Sequence, residues 1–327
     1  MPRLNHAISY SVFYLYKRDE RTGKLLGPKG TGFLVNRQST EVPPFSHIYA
    51  VSNWHVVSRD NASVIRVNTS NMKTREIDLA PHDWIFNRSG DDLAIADITD
   101  LINLHTDQCS FIDERNFVSQ DILIDFVIGM GDDTVMVGMY VDNPGGTRNV
   151  PASRFGNIAM LCDSNAPIKQ PNGMVRMAHL VDTRSRAGFS GSPVFVYRSP
   201  TSDLRSIWNK VPNVNSGYHF NQNGNILFAL LGVHCAQHWE TIEVNKAKRK
   251  TSQDAGDPIL EGDKLRIQGG MTIVIPAWGI TELLEHSELA QKRKDRDERL
   301  TPEWKKLPRA ESVSDDDPPA NNFPPME

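Results

Sequence analysis

The sequence predicts an all-β protein: two six-stranded barrels followed by a C-terminal α-helix. Two observations predict it. About twelve short runs rich in β-branched and aromatic residues are punctuated by Gly, Pro, Asn and Asp, as in barrels and sandwiches. Only one stretch, near the C-terminus, carries the charge order and apolar spacing of a helix. The strand runs are 7–16, 32–36, 47–52, 63–67, 93–98, 122–128, 134–141, 158–161, 175–180, 192–197, 226–233 and 271–275. Between them, Asn143-Pro144-Gly145-Gly146, Asn172-Gly173 and Asn223-Gly224 supply residues that tolerate positive φ. The crossover between barrels is expected at 143–151, which puts the first barrel at about 5–142 and the second at about 152–280.

The helix is expected over 281–299. Glu282, Glu285 and Glu288 precede Lys292, Arg293, Lys294 and Arg296, an order that complements the helix dipole. Ile280, Leu283, Leu284 and Leu289 give an inward stripe only in its first turns, so the second half is expected to face solvent. Residues 301–327, rich in Pro, Asp and Ser, read as a disordered acidic tail. The stretches 199–225 and 236–270, the latter holding the basic cluster from Lys246 to Lys250, read as insertions.

Composition excludes several classes. With 327 residues, 39% hydrophobic and 23% charged, the chain reads as a globular protein able to bury its core without disulfides. A net charge of -4 gives no electrostatic case for a nucleic-acid partner, and no apolar run is long enough for a membrane-spanning helix. The apolar stretch at 7–16 runs into Lys17-Arg18-Asp19-Glu20 without a small-residue cleavage site, so it is expected to be a strand and not a leader. Three distant cysteines, Cys109, Cys162 and Cys235, suit a reducing compartment, and a cytoplasmic location is expected. The string His234-Cys235-Ala236-Gln237-His238 is too small a ligand set for zinc, so neither metal nor cofactor is expected.

The chemistry centres on Ala187-Gly188-Phe189-Ser190-Gly191-Ser192-Pro193. A serine hydroxyl attacks only when a base takes its proton, and acyl transfer needs donors aimed at the oxyanion. Glycines on both sides of Ser190 allow a tight turn and place the Gly188 and Ser190 amides to form such a hole. The base is offered by His55, which follows the apolar run ending Val51-Ser52. Imidazole suits the task because it titrates near neutrality. A carboxylate to orient it is offered by Gly90-Asp91-Asp92-Leu93, where Asp91 and Asp92 are equally suitable on chemistry alone.

The order His, Asp, Ser with these neighbours resembles the chymotrypsin-like clan of serine proteases, and most of all its disulfide-free bacterial branch, which includes HtrA-type enzymes. Gly30-Thr31-Gly32-Phe33 matches a GTGF-like strand, Ser52-Asn53-Trp54-His55-Val56-Val57 a TNNHVV-like string, and Asp92-Leu93-Ala94-Ile95 a DLAL-like strand, which selects Asp92 over Asp91. The resemblance covers roughly residues 5 to 290 and implies one trypsin-like domain over 1–300 with the catalytic triad His55, Asp92 and Ser190. It further implies that Arg184, Ser185, Arg186, Gly232, Val233 and His234 build the substrate site. There an arginine either selects an acidic side chain or turns to solvent, and the strand edge from Leu231 to His234 pairs with an extended peptide. Two departures stand out. Phe189 replaces the aspartate that salt-bridges a freshly cut amino terminus in secreted relatives, and no PDZ module is expected after Pro302. The expected activity is that of a serine endopeptidase acting on one or a few protein or peptide targets, with a regulatory protein as a further partner. The competing readings are a catalytically silent scaffold and a serine esterase.

Overall fold

The computed structural model describes residues 4–183, 188–198, 227–243 and 264–306. Arg184, Ser185, Arg186, the 199–225 insertion, the basic cluster and the tail beyond 306 lie outside the described residues.

A seven-stranded sheet comes first in the chain. Its strands are β1 (Val12–Arg18), β2 (Leu25–Gln38), β3 (Ser46–Ser52), β4 (Val64–Asn68), β5 (Thr74–Ile77), β6 (Ala94–Asp97) and the short β7 (Ile112–Asp113). Six of them run in the order β5-β4-β1-β2-β3-β6, while β7 pairs in parallel with β2. The second unit is built from β8 (Asp133–Gly138), β9 (Ala152–Met160), β12 (His179–Asp182), β13 (Pro193–Arg198), β14 (Leu227–Glu243) and β15 (Lys264–Pro276). They close into a six-stranded barrel in the order β12-β15-β14-β13-β8-β9. A hairpin, β10 (Ile168–Lys169) and β11 (Val175–Arg176), stands between β9 and β12.

Side-chain alternation explains why these strands read as unbroken apolar runs. Along β1, Phe13 and Leu15 enter the core of the first unit, while Val12, Tyr14 and Tyr16 enter a second cluster shared by both units. Strand β13 repeats this, with Val194 and Val196 inside the barrel and Phe195 and Tyr197 in the shared cluster. Both faces of β1 and β13 are dry over these residues, so period-2 polarity is absent there. The shared cluster welds the two units and fixes the rim where they meet.

Several elements differ from expectation. Strand β8 (Asp133–Gly138) was expected in the first barrel but pairs with β9 and β13 in the second, so the crossover lies before it. The 143–151 stretch is instead part of the β8–β9 connection. It docks onto the first sheet through Asn149, whose amide groups bond Asn68 and Arg66. The 122–128 run is not a strand: Gln120–Asp125 is helical, started by Ser119, whose hydroxyl accepts from Ile122 N at 3.2 Å. Residues Ala7–Tyr10 form one helical turn before β1 begins at Val12. The 236–270 stretch is in part a β-ribbon extending β14 and β15.

The helix expected over 281–299 is two helices, Trp278–Leu284 and Ser287–Trp304. The break falls at His286, whose ring accepts from Glu288 N and so caps the second helix. That helix runs past Pro302 into the region expected to be disordered, and its second half is not simply solvated. Arg296 and Asp297 are buried there, Arg296 on Asp97 and Asp100, Asp297 on Ser39 and His47. A charged stripe thus becomes buried where the first sheet supplies its counter-charges.

Candidate active site

Antiparallel pairing brings His55 and Asp92 together. Strands β3 and β6 are neighbours in the register Ser52↔Ala94 and Val51↔Ile95, so the end of one lies beside the start of the other. His55 comes three residues after Ser52 and opens a single π-helical turn, His55–Arg59; Asp92 comes two residues before Ala94. Such turns occur often at functional sites. Burial of Val56 and Val57 in the first core anchors this turn.

The pair is fully engaged. His55 Nδ1 lies 2.5 Å from Asp92 Oδ2, and the His55 backbone N–H donates to Asp92 Oδ1 at 2.9 Å. Asn53 Nδ2 donates to the Asp92 carbonyl at 2.9 Å, and the Asp92 N–H donates to Gln170 Oε1 at 2.7 Å. Asp92 has no exposed surface and His55 only 6%, so the carboxylate is dry. A buried carboxylate on Nδ1 fixes the orientation of the ring, and with the proton on Nδ1 the acceptor of the pair is Nε2, the arrangement a base requires. Asp91, the alternative acid, instead bonds Gln170 Nε2 and faces Arg176.

Ser190 arrives from the second unit on the loop before β13. Gly188 and Gly191, flanking it, have φ of +96° and +85°, in the left-handed region. At Gly191 a Cβ would also collide with Thr31 O and Ser52 Oγ, so this backbone is pressed directly against β2 and β3. Phe189, between the glycines, is wholly buried in the barrel core and pins the loop by apolar contact. Its ring contacts replace any polar partner at this position.

Thr31 ties the loop to the first sheet. Its N–H donates to Ser190 O at 2.8 Å, its hydroxyl donates to Gly188 O at 2.7 Å and accepts from Met139 N at 2.9 Å, and its carbonyl accepts from Ser52 Oγ at 2.7 Å. Ser190, Ser52 and therefore His55 are gathered at one rim. Among the described residues no hydrogen bond joins Ser190 Oγ to His55, a contact that substrate commonly tightens. Also among them, the Gly188 and Ser190 amides donate to no backbone carbonyl.

Gly232, Val233 and His234 lie behind this loop, with Gly191 N donating to His234 O and His234 N to Ser192 O. Contrary to expectation, this stretch offers no open edge. Gly232 and Val233 pair with Val194 and Pro193 on one side and with Pro276 and Ile275 on the other. Only from Ala236 onward does β14 pair on one side alone among the described residues. Burial, and then the neighbouring His55, push the His234 imidazole down to about 3. The Cys235 thiol, also buried, is pushed well above its usual range and is no nucleophile at neutral pH. Among the described residues no three His, Cys, Asp or Glu side chains are grouped to hold a metal.

Thr31, Gln170 and Asn53 were not singled out by residue type, although Thr31 and Asn53 lie inside the strings that carried the resemblance. Two packed β units, with the His55–Asp92 pair on the first and a glycine-flanked serine on the second, define the architecture. The fold is chymotrypsin-like.

The chain is similar to the apo protease domain of MamO from Magnetospirillum magneticum, at 13% identity and a TM-score of 0.44, over 85% of this chain and 98% of that one. It is similar to the Rv3671c protease of M. tuberculosis in its active form, at 18% identity and a TM-score of 0.42, over 85% and 81%. For the inactive form of Rv3671c the values are 17% and 0.40, over 85% and 89%. No protein-family model and no curated protein matches the chain.

Proposed function

We propose that the protein is a serine endopeptidase with Ser190 as nucleophile, His55 as base and Asp92 as its orienting carboxylate. The observation that carries this reading is the dry His55–Asp92 pair on the first unit, facing a glycine-flanked serine loop that Thr31 and Ser52 hold at the same rim. In acylation His55 Nε2 accepts the Ser190 proton as Oγ bonds the scissile carbonyl carbon. The protonated imidazole then passes that proton to the leaving amine as the C–N bond breaks. Water, activated by the same ring, cleaves the resulting ester. The Gly188 and Ser190 amides are the donors for the oxyanion.

An extended substrate pairs with β14 beyond Cys235 in this reading, since the backbone of Gly232 and Val233 is already occupied. His234, kept neutral by burial, lies behind the loop from which Ser190 acts. The three unpaired cysteines support action in a reducing compartment such as the cytoplasm.

The test is covalent labelling by a fluorophosphonate probe, alongside mass spectrometry of a digested peptide library. Wild-type protein is expected to be labelled and to cut peptides, and Ser190→Ala to do neither while keeping its melting temperature. Labelling that survives in Ser190→Ala refutes the assignment. A wild type that neither labels nor cuts favours the silent-scaffold reading, and labelling with turnover of small esters alone favours an esterase.

A further inference from the structure

We propose that Gln170 is a positioning residue of this site, through which the β10–β11 hairpin holds the Asp92 carboxylate in place for His55. The proposal rests on the serine-protease reading. Gln170 is 2% exposed, and both ends of its carboxamide are used: Oε1 accepts from Asp92 N at 2.7 Å and Nε2 donates to Asp91 Oδ1 at 2.7 Å. Only one orientation of the amide is possible. A flip would set NH2 against the Asp92 N–H and oxygen against the Asp91 carboxylate, repulsive at both ends.

The hairpin that carries it is closed by backbone hydrogen bonds. Gln170 N donates to Met174 O and Gly173 N to Gln170 O, closing a turn around Gly173 at φ +89°. It grips the acid turn at further points, with Asn172 Nδ2 donating to Gly90 O at 3.1 Å and Arg176 Nε 3.6 Å from Asp91 Oδ1. The other bonds to Asp92 come from Asn53, Trp54 and His55, all on the first unit next to the base. Gln170 alone among these partners comes from the second half of the chain. Gln170 is buried, so its loss leaves the Asp92 N–H without its acceptor and lets the Asp91–Asp92 turn shift, and the carboxylate moves with it.

Three variants test the proposal on purified full-length chain, using a peptide found in the digest. Gln170→Ala and Gln170→Glu are each expected to lower kcat roughly tenfold or more with KM within about twofold, since misplacement acts on the transition state more than on binding. Asp91→Asn combined with Gln170→Glu restores kcat. In that double variant the introduced amide donates to the introduced carboxylate, which still accepts from Asp92 N, and net charge is unchanged. The second readout is the His55 Nδ1–H proton resonance, which reports the ring–carboxylate bond whether or not the protein cleaves anything. It should shift or broaden in both single variants and return in the double variant. Wild-type kcat with an unmoved resonance in the single variants, or no recovery in a folded double variant, overturns the proposal. If the wild type shows no Ser190-dependent turnover, the protease reading has failed, and the resonance still decides whether Gln170 positions Asp92.

Discussion

Thr31 shows how much one small side chain can organise. Its hydroxyl is wholly buried, receives the Met139 N–H and reaches the Gly188 carbonyl across the junction of the two units. Thr31→Val keeps the shape but leaves a buried N–H and a carbonyl without partners, which costs about 1–3 kcal/mol per stranded group. Urea unfolding should report a loss of about 2–6 kcal/mol for the two groups together, and fluorophosphonate labelling should slow because the Ser190 loop is released. An unchanged midpoint and labelling rate would show that the loop is held by Phe189 burial alone. The residue types of the candidate triad were legible in the sequence because a glycine-flanked serine and a histidine after an apolar run are local patterns. Gln170 was not, since a glutamine seventy-eight positions from Asp92 carries no local sign of its partner.

At the scale of elements, the Ser287–Trp304 helix is held by charge as much as by apolar contact. Leu289 is its one fully buried apolar side chain, while Arg296 and Asp97 keep only 9% and 4% of their side chains exposed. Breaking a buried pair by removing one partner strands the other, at a cost of about 3–5 kcal/mol. Arg296→Met should therefore destabilise the protein by roughly that much in chemical denaturation, and adding Asp97→Asn should recover part of it. A loss confined to the surface range, below about 1 kcal/mol, would mean that water screens the pair. The same helix explains one miss of the sequence reading. Lys, Arg and Asp at helical spacing look solvated until the opposing sheet is known.

For the whole molecule, the consequence of burial is acid sensitivity. Burial holds His179 at about 4 and His234 at about 3, against about 6.5 in an unfolded chain. Between those limits the unfolded state binds more protons, so the stability from these rings is complete above about pH 6.5 and lost as pH falls below it. Each ring contributes a slope of up to about 1.4 kcal/mol per pH unit in that window. Denaturation midpoints measured from pH 7.5 to pH 5 should fall accordingly, and His179→Gln, which still offers Cys162 N an acceptor, should flatten the curve. A wild type and variant with parallel curves would remove His179 from the account.

Taken alone, the sequence determined the all-β class, most strand positions, the order of the candidate residues His55, Asp92 and Ser190, and the glycine-flanked turn at Ser190. These depend on side-chain size, branching and backbone freedom within a few residues, which composition and spacing display directly. Tertiary structure decided that β8 joins the second barrel, that Gly232 and Val233 have no free edge, that Arg296 is buried against the first sheet and that the Asp92 N–H finds its acceptor in Gln170. Each of those outcomes is set by a partner distant in the chain, since pairing registers, counter-charges and buried hydrogen bonds exist only once the two units have closed on one another.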